Sequence, residues 1–119
     1  MKAERALHEK NLNCCPVERL LSVVSGQWTA YLLWVLHENG PQRFGALQRL
    51  VPGISTKVLT ERLRMLEAAG LLDREQAATI PPQVTYSLTE RGLELRVLMN
   101  GLGEVARRWD AEGWRPPAR

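Results

Sequence analysis

Hydrophobic positions recur along the chain first at helical and then at strand spacing. Cys15 and Pro16 open a first helix, because proline suits a position whose N–H has no intrahelical partner; Val17, Leu20, Leu21 and Val24 follow in register, and Gly26 is the expected stop. A second helix is expected from about Gln27 to His37, with Trp28, Tyr31, Leu32 and Val35 on one face and Leu33 and Trp34 on the other. A short helix that is apolar nearly all round is either central or set against a second subunit. After the turn at Asn39 to Pro41, Phe44, Leu47 and Leu50 mark a third helix, which Val51 to Gly53 stops.

The fourth segment, ISTKVLTERLRMLEAAGLLDR at residues 54–74, is the most regular. Ser55 is a favoured N-cap, and at 100° per residue Val58, Leu59, Leu63 and Leu66 point one way while Lys57, Thr60, Glu61 and Arg64 point the other. Gly70 closes it. From Leu71 the rhythm changes to a strand, a loop stiffened by Pro81 and Pro82, and a second strand in which Val84, Tyr86 and Leu88 alternate with Gln83, Thr85 and Ser87. Thr89 then caps a last helix whose Leu95, Leu98, Leu102, Val105 and Trp109 recur at spacings of 3, 4, 3 and 4, an a/d seam. Gly101 and Gly103 predict a kink there, and the final WRPPAR predicts a frayed end.

Turn, capped amphipathic helix and hairpin in that order describe a winged helix-turn-helix: mainly α with a small β-hairpin, an α+β fold that presents its fourth helix to the major groove of double-stranded DNA. Arg64 and Lys57 are candidates for guanine or phosphate, Ser55, Thr56 and Thr60 for phosphate or mixed contacts, and Glu61 for a cytosine amino group or for orienting Arg64. Taken alone, these residues would read as the wet side of a surface helix; the turn before and the hairpin after favour DNA. In the wing, Arg74 reaches toward phosphate or the minor groove, whereas Ala77, Ala78, Thr79 and Ile80 bring no charge to the tip. The Leu95–Trp109 seam asks for a homodimer, since a lone domain would leave that stripe in water.

Composition changes this picture little. With 119 residues and 45% hydrophobic positions, the chain makes one domain without staples, read as an arm at 1–13, the winged helix with its dimerisation helix at 14–110, and a flexible tail at 111–119. A net charge of +3 permits a polyanion partner without demanding one. No membrane contact is expected, and the early charges Lys2, Glu4 and Arg5 argue against a secretory leader, so the expected location is cytoplasmic. His8 and His37 are the available imidazoles, and no phosphate loop, carboxylate pair or nucleophile elbow accompanies them; an enzyme is not expected.

The succession CPVERLLSVVSGQWT, RFGALQRLVPGISTKVLTERLRMLEAAGLLDR and PPQVTYSLTERG resembles the HxlR family of bacterial winged-helix regulators, relatives of the MarR group. The resemblance implies a homodimer joined through N- and C-terminal helices, with two recognition helices entering successive major grooves of a pseudo-palindromic operator, and hence transcriptional repression or activation. In two places the chain departs from the family: Gln83, a candidate DNA contact, stands where many members carry a basic residue, and Glu61 replaces a commoner neutral amide.

Cys15 matches the cysteine that some such regulators use to sense oxidants, electrophiles or quinones. Dipole and free N–H groups at a helix N-terminus favour the reactive anionic form of a thiol, and Pro16 holds the residue before it extended. The other reading is a small buried hydrophobe. Cys14 is a candidate resolving thiol, but a bridge between neighbours is geometrically poor, which favours an intersubunit link. Cys14, Cys15 and His8 lack a fourth ligand and zinc-site spacing, so neither metal nor cofactor is expected. Two other readings stay open: Trp28, Tyr31, Trp34 and Trp109 as a pocket for a small-molecule effector at the dimer interface instead of core, and a winged helix that binds protein in place of DNA.

Overall fold

A computed structural model describes residues 15–118. Among these the order is α1 (Pro16–Val24), α2 (Thr29–Asn39), β1 (Gln42–Arg43), α3 (Phe44–Leu50), α4 (Thr56–Ala68), β2 (Leu72–Ala77), β3 (Gln83–Leu88), α5 (Glu90–Leu93) and α6 (Arg96–Ala111). The sheet is antiparallel in the order β1-β3-β2. This is the winged helix-turn-helix that the hydrophobic rhythm predicts.

Helix α2 is the hub. Its Leu32, Leu33, Val35 and Leu36 are all buried and meet Leu47 of α3, Leu59, Leu63 and Leu66 of α4, and Met99 of α6 in one cluster. The helix that is apolar nearly all round is therefore central, as expected: Leu33 lies inside with Leu32 and Val35, while Tyr31 is 45% exposed. Packing from three sides, which spacing within one helix cannot reveal, decides this. The helix also begins later than expected, because Trp28 sits in the left-handed region at φ 74° and the chain turns through Gln27 and Trp28. Helix α1 likewise stops at Val24, before Gly26.

Strand β1 escapes sequence reading because two residues show no alternation. It exists through pairing alone, Gln42 with Tyr86 and Arg43 with Thr85. The interruption of the last helix is also displaced. Thr89 caps the single turn α5 by accepting from the Gly92 N–H at 3.0 Å, the chain breaks at Glu94 and Leu95, and α6 then runs unbroken through Gly101 and Gly103. Gly103 serves packing: a Cβ there would stand 2.3 Å from Cη2 of Trp34 on α2, so only hydrogen lets the two helices approach.

The segment after α6 turns back on itself, with Gly113 at φ 88° and the Trp114 ring edge-on to Trp109 at 5.2 Å between centroids. Arg115 pairs with Asp110 at 2.7 Å across the same turn.

Candidate nucleic-acid interface

Helix α4 is well held at both ends. Ser55 is extended, and its Oγ accepts from the Val58 N–H at 3.1 Å, satisfying one of the first-turn donors. At the other end the Gly70 N–H donates to the Glu67 carbonyl and the Leu71 N–H to the Leu66 carbonyl, both at 3.0 Å, with Leu66 and Leu71 buried. That is a Schellman close, and it needs Gly70 at φ 81°. Thr89 locks the junction to the wing by donating its hydroxyl to the Gly70 carbonyl at 2.6 Å.

Burial of Leu59, Leu63 and Leu66 turns the opposite side of α4 outward, and Lys57, Glu61 and Arg64 form one exposed line there, with Ser55 and Thr56 exposed at its N-terminal end. Among the described residues no ion pair engages Lys57, Glu61 or Arg64, so Glu61 does not orient Arg64 in the free protein. Thr60 differs from expectation: it is half-buried, and its hydroxyl donates to the Thr56 carbonyl at 2.8 Å. Thr56 Oγ1 accepts from Gln48 Nε2 at 2.9 Å, which ties α3 to α4 and leaves the Thr56 hydroxyl proton available to a ligand.

Three residues that spacing did not single out hold this surface in place. Gln48 spans the turn as described; Arg62 donates from Nε to the Gln27 carbonyl at 2.9 Å, fastening α4 to the loop between α1 and α2; and Arg43 donates to Gln83 Oε1 at 2.6 Å. The last contact occupies the Gln83 amide oxygen within the wing and leaves its amide N–H groups to donate elsewhere. Arg74 pairs in register with Tyr86, a residue that packs on the core, so its side chain leaves the sheet on the core side, exposed at the edge. None of these partners is visible at helical or strand spacing, since each contact joins different elements.

The expected dimer residues divide. Leu98, Leu102 and Trp109 are 49%, 52% and 42% exposed and Val105 is half-buried, whereas Leu95 packs against the chain's own core, so the outward stripe starts at Leu98. On α1, Val17, Leu20 and Leu21 are also exposed. The four aromatics do not converge on a pocket. Trp28 lies against the turn at Gly53, 3.6 Å from where a Cβ would be, and Trp109 faces Trp114. Tyr31 and Trp34 line a shared groove with Leu102, Gly103 and Arg107.

Cys15 is the extended N-cap of α1 (φ −93°, ψ 116°), half-buried and with a free thiol. Cys14 and His8 lie outside the described residues. His37 is held by its own helix, with Nδ1 2.8 Å from the Leu33 carbonyl oxygen. Among the described residues there is no group of three metal-ligating side chains, and no helix is long and apolar enough to cross a membrane.

A family model described as HxlR-like helix-turn-helix matches residues 23–113. The chain belongs to the HxlR-like helix-turn-helix family. It is 39% identical over 103 residues to the HTH-type transcriptional regulator YkvN of Bacillus subtilis, covering 83% of this chain and 86% of YkvN. Among solved structures it is similar to the redox regulator HypR in its oxidized form, at TM-score 0.73 and 38% identity over 87% of this chain and all of HypR. The reduced transcriptional regulator YodB of B. subtilis matches at TM-score 0.68 and 33% identity, covering 77% of this chain and 90% of YodB. This HxlR-like chain is thus a helix-turn-helix transcriptional regulator, and its relatives are regulators, not enzymes.

Proposed function

We propose that this regulator binds double-stranded DNA as a homodimer, reading a pseudo-palindrome whose half-site centres lie about 10 base pairs or a multiple apart, as paired recognition helices require. The observation that carries this reading is the unpaired, exposed line Lys57–Glu61–Arg64 on a helix whose other face is locked into the core. Lys57 and Arg64 supply the cations, Ser55 and Thr56 flank them for phosphate, and Glu61 meets a cytosine amino group. The uncovered apolar surface of α1 and α6 supports the dimer: Val17, Leu20, Leu21, Leu98, Leu102 and Trp109 are each at least 41% exposed.

Thiol control through Cys15 fits the same architecture. HypR, a relative of known fold, is described as a redox regulator. In this chain Cys15 caps α1, and the loop that follows α1 is fastened to the reading head twice, by Arg62 on the Gln27 carbonyl and by the Trp28 ring against Gly53. A shift of α1 on oxidation or alkylation of the thiol is therefore passed to α4. A second reading has one observation in its favour: the groove of about 400 Å³ beside Trp34, with the Arg107 guanidinium 6.0 Å from the ring centroid, suits a small planar effector.

The test is Arg64→Ala on a duplex selected by the wild type from a random library. Binding weakens by about 1–3 kcal/mol on that duplex and little on random DNA. Equal losses on both make Arg64 a phosphate contact, and a wild type that selects no duplex refutes the reading.

A further inference from the structure

The positive charge that the wing tip lacks is found at its base. Arg43 of β1 and Arg49 of α3 line a groove of about 440 Å³ with Pro41, Gln42, Gly45, Ala46 and Thr85. Register fixes the sheet side of this groove. Tyr86 packs on the core, so its neighbour Thr85 projects from the opposite face, and Arg43, the cross-strand partner of Thr85, projects with it. Arg43 is held there by its 2.6 Å hydrogen bond to Gln83 Oε1.

The helical side is set by α3. Leu47 is buried, which turns Gly45 and Arg49 outward, and the Arg49 guanidinium folds back so that its Nη1 is 3.7 Å from where a Gly45 Cβ would stand. Gln48, the residue before Arg49, donates to Thr56 at the N-terminus of α4. The groove therefore lies between α3 and the β1–β3 pair at the base of the wing, and α3 is tied through Gln48 to the start of the recognition helix.

Its charge is available. Among the described residues neither Arg43 nor Arg49 has a carboxylate partner; the nearest acid in the same cross-strand row is Glu75, one strand beyond Thr85. Two guanidiniums and a threonine hydroxyl around an open groove make a site for a tetrahedral oxyanion. The neutral amide of Gln83 orients Arg43 without cancelling its charge.

We propose that this groove clamps a DNA backbone phosphate at the edge of each half-site, with Arg43 and Arg49 as the ligands and Gln83 as a positioning residue. The proposal rests on the DNA-binding reading above and adds a contact outside the recognition helix. The clamp is indifferent to sequence: it sets where the helix sits, while the line at Lys57 to Arg64 reads bases.

Fluorescence anisotropy on the selected duplex and on a random duplex, from 50 to 200 mM salt, tests this. Arg49→Ala and Arg43→Ala should weaken both complexes by the same factor and lower the salt slope by about two, one for each subunit of the dimer, so that their gap from wild type narrows roughly tenfold across that range. Arg49→Lys should retain most of the slope. A duplex with neutral methylphosphonates at the half-site edge should bind wild type more weakly, yet bind the double variant Arg43→Ala, Arg49→Ala no more weakly than the native backbone. Circular dichroism checks that the variants, both at exposed positions, stay folded.

An unchanged slope in both alanine variants, alongside a selective loss in Arg64→Ala, overturns the clamp and leaves the regulator reading intact. Binding of inorganic phosphate without any effect on duplex affinity also overturns it. Failure of the wild type to bind either duplex in a salt-dependent way sinks both.

Discussion

Gly103→Ala sets two opposed effects against each other inside α6. Alanine in the middle of a helix is favoured over glycine by about 0.5–1 kcal/mol. Against this, the new Cβ would lie 2.3 Å from Cη2 and 2.5 Å from Cζ3 of Trp34, and 3.3 Å from Arg107 Nη1. Carbon atoms in contact sit about 3.5–4.0 Å apart, so the ring or the helix must move by roughly 1 Å. The Arg107 head can swing aside. Trp34 cannot do so freely, because it packs against the core cluster. Overpacking of this kind costs about 1–3 kcal/mol, which outweighs the propensity gain.

Gly101 is the internal control, since a Cβ there meets nothing within 4 Å. Both substitutions share the propensity term, so their difference isolates the Trp34 contact. Gly101→Ala should be more stable than Gly103→Ala by about 1–3 kcal/mol in urea unfolding followed by circular dichroism. Subunit concentration is kept constant because self-association shifts apparent stability. In a double-mutant cycle, Trp34→Leu should remove most of the penalty of Gly103→Ala. Equal stabilisation by the two alanines, within about 0.3 kcal/mol, refutes the claim that Gly103 exists for helix approach.

Two further outcomes test the proposed assembly and its control. Leu102→Asp, which places a charge in the middle of the exposed stripe, should give monomers in sedimentation and weaken operator binding at least tenfold; an intact dimer removes α6 from the interface. Cys15→Ser should bind DNA like the wild type while losing any change in binding on treatment with diamide or a quinone. The same response in both proteins would assign sensing to another group.

Much of the molecule was legible because its signals are local. Ser55 as cap and Gly70 as stop bracket α4, and the alternation of Val84, Tyr86 and Leu88 marks β3; each element reports its own period within a few residues. The outward line Lys57–Glu61–Arg64 follows from the same periodicity. Gln48, Arg43 and Arg62 were not legible in this way. Their partners Thr56, Gln83 and Gln27 lie 8, 40 and 35 residues away, and nothing in the local pattern announces such pairs. The bond from the Thr60 hydroxyl to the Thr56 carbonyl was not legible either: a helical wheel gives exposure and says nothing of a hydroxyl that bonds back to its own backbone.

The sequence by itself determined the longer helices, the two wing strands and which face of α4 is polar, because burial of leucines at a repeating angle leaves the opposite angle no choice. Only the tertiary structure decided that α2 is enclosed on several sides, that two residues become a third strand, and that Leu95 belongs to the core while Leu98 and Leu102 stay bare. It alone brought Arg43 and Arg49 to one groove. The physical reason is that periodicity orients a side chain about its own axis, whereas what that side chain meets depends on how separate axes pack.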